Sequence, residues 1–259
     1  MKSKYLHTIE DNIIKDVYSA ISNHYNDKMY FAGGMSTQFF LPENLHRPSS
    51  DIDMNGIPKY SLTEFQKVIA GGLEELLDKG YKTSKKKQRY TYDINLDNGD
   101  EKVILQYPRK STSSYEWLRK VTGRENANAQ KVKYNGGHIR LIPTEDIILH
   151  KVLRSNSFLK HGLKKPKNKE LHHLQNSIES QKEDLMLNQF NMNGPDLQKA
   201  ISKIRLYADI FDINALTIYK KLDKKYFLES LSDYRNLTPM KNQIVENLYR
   251  INPNVFGGE

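Results

Sequence analysis

The chain has 259 residues, 37% of them hydrophobic, with 40 Lys and Arg against 31 Asp and Glu, a net charge of +9. This length suits one large domain or two modest ones, and no apolar run is long enough to cross a membrane. Cysteine is absent, which excludes disulfides, thiolate zinc sites and cysteine nucleophiles and fits a bacterial cytoplasm.

In chain order, Thr8-Ile9-Glu10-Asp11 reads as a helix start with Thr8 as cap, and Ile9, Ile13, Val17 and Ile21 supply an apolar stripe. Lys28 to Ala32 reads as a strand that runs into Gly33-Gly34-Met35-Ser36. Glycines there let bare backbone approach phosphate oxygens, and Ser36 can donate a hydroxyl to one. Met35, Phe39 and Phe40 then stand at helical spacing. Asp51 to Ile57 reads as the second strand. Residues two apart in a strand share a face, so Asp51 and Asp53 converge while Ile52 enters the core. Two carboxylates on one face suit Mg2+, which combines one or two protein carboxylates with substrate phosphates.

Ser61-Leu62-Thr63-Glu64 is a capping box for a helix running towards Lys79 and stopped by Gly80, with Gly71-Gly72 inside it. Lys85-Lys86-Lys87 with Arg89 forms a basic cluster. Gln88 to Leu96 and Lys102 to Tyr107 alternate as strands about Asn98-Gly99, read as a two-residue hairpin turn. That register pairs Asp97 with Asp100 and sets Asp93 opposite Ile104. It puts Asp93, Asn95 and Gln106 on one face and Tyr92, Ile94, Leu96, Val103, Leu105 and Tyr107 on the other.

The polar stretch from Ser111 to Asn135 is expected to be a mobile insertion, and His138 to Ile142 one more strand. After Pro143, Thr144-Glu145-Asp146 opens a helix and helical periodicity dominates, as in Leu197, Ile201, Ile204 and Ala208. Thr238-Pro239 reads as a cap with proline at the first helical position. The chain thus divides into a mixed α/β domain, residues 1–143, and a helical bundle, residues 144–259. From Lys151 to Lys169 there are seven Lys or Arg and no acid, a segment suited to a polyanion or to plain solvation. His172 and His173 are adjacent, so on a helix they diverge and cannot share an ion; Trp117 reads as packing.

The glycine turn, the approach Arg47-Pro48-Ser49-Ser50 and Asp51-Ile52-Asp53 together resemble the AbiEii/AbiGii toxin family within the DNA polymerase beta-like nucleotidyltransferase superfamily. The resemblance implies an α/β (α+β) fold, a nucleotidyltransferase-type mixed sheet flanked by helices and followed by a C-terminal helical bundle. It implies Mg2+-dependent transfer of NMP from an NTP, with a two-metal site, to an RNA or tRNA acceptor, and a cognate antitoxin as partner. Asp51, Asp53, Asp93 and Lys151 are the catalytic candidates. Gly33, Gly34, Ser36, Arg47, Ser50 and Lys151 are candidates for holding nucleotide, with Lys151 reaching the triphosphate. Lys160, Lys164, Lys165, Lys167 and Lys169 are candidates for RNA.

The chain departs from the family pattern in two places. The superfamily's third carboxylate falls at Gln106 in Leu105-Gln106-Tyr107, which leaves Asp93 as a substitute or as a solvated strand residue. Lys169-Glu170-Leu171-His172-His173 carries Glu and His at positions where the family has Asp. Transfer to a small molecule, and binding of nucleotide or RNA without chemistry, are the alternatives.

Overall fold

The computed structural model describes residues 4–25, 27–56, 60–88, 91–108, 116–155, 168–188 and 192–257. Two compact units divide the chain, residues 1–39 with 48–143 and residues 40–47 with 144–259.

The first unit is built on a mixed seven-stranded sheet of order β3-β4-β5-β2-β1-β7-β6. Its strands are β1 (Met29–Ala32), β2 (Asp51–Gly56), β3 (Lys82–Lys87), β4 (Thr91–Asp97), β5 (Lys102–Pro108), β6 (Gln130–Tyr134) and β7 (Gly137–Leu141). β2 runs antiparallel to β1 and parallel to β5, and β1 runs parallel to β7. Helix α1 (Asn12–His24) packs on β7 and on α4 (Ala70–Asp78). Its buried stripe of Ile13, Ile14, Val17, Tyr18 and Ile21 meets the apolar sheet face through the Tyr18–Phe31 ring contact. The short helix α2 (Gly33–Gln38) follows β1 directly. Phe65 of α3 (Leu62–Val68) stacks on Tyr107 of β5 at 4.3 Å. Helix α5 (Glu116–Ala127) meets the sheet through buried Glu125, which accepts the Tyr30 hydroxyl of β1.

Several local expectations are corrected. Helix α1 starts at Asn12 with Asp11 as its N-cap residue, not with Thr8, because Asp11 turns back and accepts the Thr8 amide at 3.0 Å. The Ser61 capping box is present, with Ser61 and Glu64 bonding reciprocally. The helix it opens breaks at Ile69 into α3 and α4. A Cβ on Gly72 would stand 2.7 Å from the Ala20 carbonyl oxygen, so the bare backbone there is what lets α4 close on α1. Strand β3 has no apolar alternation to announce it. It is an edge strand, and exposed lysines protect such an edge from pairing with another chain.

The β4–β5 hairpin closes on four residues, Asn98 to Glu101, because the Asn98 side chain accepts the amides of Asp100 and Glu101. Asp97 therefore pairs with Lys102, and Asp93 pairs with Gln106 rather than Ile104. The slip is two residues, so every side chain keeps its expected face. The two-residue Asn-Gly turn is at Asn135-Gly136, where φ is 46° and 80° and Tyr134 pairs with Gly137. The expected insertion from Ser111 to Asn135 is largely regular, holding α5 and β6; residues 111–115 lie outside the described part.

The second unit is helical: α6 (Thr144–Arg154), α7 (Asn168–Asn188), α8 (Gly194–Tyr219), α9 (Lys224–Asp233) and α10 (Lys241–Ile251). Helix α6 packs on α8 and α9, α7 on α8, and α10 on α8. The acidic first turn of α6 is buried and tertiary in role. Glu145 accepts the Asp223 amide at 2.9 Å and Asp146 the Tyr226 hydroxyl at 2.5 Å, both at the start of α9. Burial raises the pKa of Glu145. Thr238-Pro239 opens a 3-10 turn, Thr238–Met240, ahead of α10, and the Thr238 hydroxyl bonds back to the Tyr234 carbonyl instead of capping forward.

Gly72→Ala should destabilise the protein by about 1–3 kcal/mol, since the new methyl meets backbone that cannot rotate away. Gly194→Ala, where a Cβ meets nothing within 4 Å, should be neutral or slightly stabilising. Chemical denaturation of the two variants side by side measures the difference.

Candidate functional site

The turn after β1 and the acids of β2 are brought together by strand pairing. Ala32 lies opposite Asp53, so the first residue after β1, Gly33, falls beside the Asp53 carboxylate. Gly33 has φ +74°, and a Cβ built on it would lie 1.7 Å from Asp53 Oδ2. Only glycine combines that backbone angle with that clearance. Asp51 and Asp53 alternate with buried Ile52 and Met54 and are themselves half-buried, on one face of β2. The Ser49 hydroxyl donates to Asp51 Oδ1 at 2.7 Å and fixes its rotamer. An all-oxygen pair of carboxylates, with bare backbone against one of them, fits a hard divalent cation such as Mg2+.

Asp53 stands in one row across the sheet with Gln106, Asp93 and Lys86. Asp93 is 5% exposed, accepts the Thr91 hydroxyl at 2.7 Å and the Gln106 amide at 3.3 Å, and lies two strands from Asp53. Two strand spacings are roughly 10 Å, too far for both carboxylates to ligate one ion. Asp93 is therefore on the expected face, but its carboxylate holds Gln106.

The remaining candidates are placed as follows. Gly34 follows Gly33 in the first turn of α2 and is half-buried. Ser36 is fully buried and points inward towards the hydroxyl of Tyr18, whose pKa burial raises. Ser50 enters the ladder through its carbonyl, which accepts the Ile104 amide at 3.1 Å; the hydroxyl that reaches Asp51 is that of Ser49. Residues Lys160, Lys164, Lys165 and Lys167 lie outside the described residues, as does Arg89, and the side chains of Lys169 and Trp117 do too. His172 and His173 are exposed on α7.

Arg47 and Lys151, expected at the nucleotide, are instead taken up inside the second unit. Lys151 is 1% exposed. Its ammonium lies 2.5 Å from Asp212 and 3.6 Å from Asp209, both on α8. Arg47 donates to Asp212 through Nε at 2.7 Å and also through Nη2. Arg154 donates to Asp209 at 2.5 and 3.2 Å. Burial alone would raise the Asp212 pKa, but Arg47 and then Lys151 hold it down at about 2. Burial lowers the pKa of Lys151, against the pull of Asp212. The signal for this cluster is present in Ala208-Asp209-Ile210-Phe211-Asp212-Ile213. Two acids set three apart in an otherwise apolar helical stretch must be buried, and buried acids need cations.

No family model matches the chain, and no curated protein does. Among solved structures it is similar to an antigenic nucleotidyltransferase-like protein from Paracoccidioides brasiliensis, with 11% identity, 90% of this chain and 93% of that chain covered, and a TM-score of 0.44. Nothing in that likeness singles out the AbiEii/AbiGii toxins. No helix among the described residues is long and apolar enough to cross a membrane.

Asp212→Asn should cost about 3–5 kcal/mol by leaving Arg47 and Lys151 buried against a neutral group. Held near pH 2 in the folded chain against about 3.9 unfolded, Asp212 contributes its full stabilisation above roughly pH 4. That contribution is lost as pH falls towards 2. Denaturation at several pH values should therefore show the gap between wild type and Asp212→Asn narrowing on acidification.

Proposed function

We propose that the first unit is the catalytic core of a Mg2+-dependent nucleotidyltransferase that moves NMP from an NTP to an RNA acceptor. The observation that carries this reading is the Asp53 carboxylate lying against the bare backbone of Gly33, with Asp51 beside it on the same face of β2. Asp51 and Asp53 would hold the ion, and Ser49 keeps Asp51 oriented for it. Magnesium would offset charge at the α-phosphate and on the departing pyrophosphate. The Gly33-Gly34 turn leaves room for phosphate oxygens against main chain. Gln106 accepts no proton, and Asp93 acts on Gln106 rather than on the reacting atoms.

An RNA acceptor is supported by the net charge of +9 and by β3. Its exposed Lys82 and Lys86 pair with Asp97 and Asp93, on the sheet face that carries Asp53. The toxin role and the cognate antitoxin are proposed on the sequence resemblance. A second reading, nucleotide binding without turnover, is favoured by Gln106 standing where a third acid is expected and by the occupied carboxylate of Asp93.

NTP labelled at the α-phosphate, incubated with the purified protein, Mg2+ and total RNA, should label RNA. Asp53→Asn should reduce this by roughly a hundredfold or more, since several kcal/mol of transition-state stabilisation are lost. Gly33→Ala should do likewise by displacing Asp53. Nucleotide binding with no labelled product supports the second reading, and no binding at all sinks both.

Charge reversal at Lys82 and Lys86 should weaken RNA binding and lower the slope of log affinity against log salt by about 2, while NTP affinity is retained. An unchanged salt slope would remove β3 from the acceptor surface.

A further inference from the structure

The N-terminal segment carries a cluster that nucleotide transfer does not use. His7 is fully buried. Its Nε2 lies 2.8 Å from the Lys102 carbonyl oxygen. A carbonyl only accepts, so Nε2 carries a hydrogen, and in the neutral ring Nδ1 then presents a lone pair. That Nδ1 has no hydrogen-bond partner. It faces two carboxylates, with Asp11 Oδ2 and Glu101 Oε1 each 3.6 Å away. The three ligand atoms all lie within 4.8 Å of one another, and among the described residues this is the one such set of three.

With the ring neutral, the buried Nδ1 that lacks a hydrogen-bond partner and two carboxylate oxygens gather at one point, as the ligands of a metal ion do. We propose that His7, Asp11 and Glu101 bind a divalent transition-metal ion of the zinc class. Ligands about 2.1 Å from one ion at a tetrahedral angle stand about 3.4 Å apart, close to the observed 3.6 Å. One imidazole with two carboxylates suits zinc, manganese or iron(II), whereas Mg2+ and Ca2+ prefer oxygen throughout. The outer contacts are those such a site requires. The Lys102 carbonyl fixes the His7 tautomer, and the Thr8 amide orients Asp11 at 3.0 Å. Glu101, a quarter exposed, leaves a route for the ion and for a water as fourth ligand.

The ion would rivet the N-terminal segment to the sheet. His7 already exchanges two backbone bonds with Ser49, at 2.9 and 2.8 Å, and Ser49 is the residue that orients Asp51. Lys102, next to Glu101, donates its amide to the Lys4 carbonyl at 2.9 Å. The site is separate from the Asp51–Asp53 pair and does not depend on the transferase reading.

The test uses the intact chain, stripped of metal with a chelator and titrated with Co2+ by visible absorbance and with Zn2+ by calorimetry, both in excess Mg2+. One equivalent should bind, and Asp53→Asn should leave that binding in place. His7→Gln should weaken it roughly a hundredfold or more. Glu101→Gln, at a partly exposed position where folding is safe, should weaken it too. At a hundredfold excess over Kd, Zn2+ should raise the wild-type unfolding midpoint by roughly 5 °C and leave both variants unmoved. Absence of stoichiometric binding, binding by the two variants equal to that of wild type, or a midpoint indifferent to Zn2+ would overturn the proposal.

Discussion

The site in the first unit depends on one alignment, the antiparallel pairing that sets Ala32 of β1 opposite Asp53 of β2. It places Gly33 under the Asp53 carboxylate, and the contact leaves no space for any side chain. A one-residue slip would send Asp51 and Asp53 to the apolar face and Ile52 and Met54 to the polar one. Burial of Ile52, Met54, Phe31 and Met29 therefore fixes the position of the acids. Packing of the core and geometry of the site are the same constraint read from opposite faces of the sheet.

The second unit is organised around charge. Asp209 and Asp212 sit within an apolar stretch of α8, where a carboxylate without a partner would be strongly unfavourable. Arg47, Lys151 and Arg154 converge on them, and Arg47 brings residues 40–47 with it. Those residues separate α2 from β2 in the chain, yet they belong to the helical unit. A long-range ion pair thus sets which segment folds with which, and α6, which carries Lys151 and Arg154, is tied to α8 by the same acids.

The N-terminal cluster and the sheet face that carries Asp51 and Asp53 meet at Ser49. Its backbone pairs with His7 and its hydroxyl bonds to Asp51. Anything that holds the N-terminal segment against β5 also holds the approach to β2. Stiffening of this kind suits the proposed role of the carboxylate pair, which calls for a fixed geometry towards a metal and a phosphate.

Much was legible in the sequence because it depends on neighbours along the chain. Asp51 and Asp53 share a face through strand periodicity, the Ser61 box caps its helix through side chains three apart, and Gly80 ends α4. The face assignment of β4 and β5 survived a wrong turn because the slip was even. What depends on distant residues was decided only by tertiary structure. Gly33 is a tight position because Asp53 lies over it. Ser49 rather than Ser50 serves Asp51, and Asp93 is occupied by Gln106. Lys151, a helix lysine by periodicity, is buried because two acids some sixty residues later in the chain, Asp209 and Asp212, require a cation. Periodicity assigns a side chain to a face, but its partner comes from packing that no local spacing encodes.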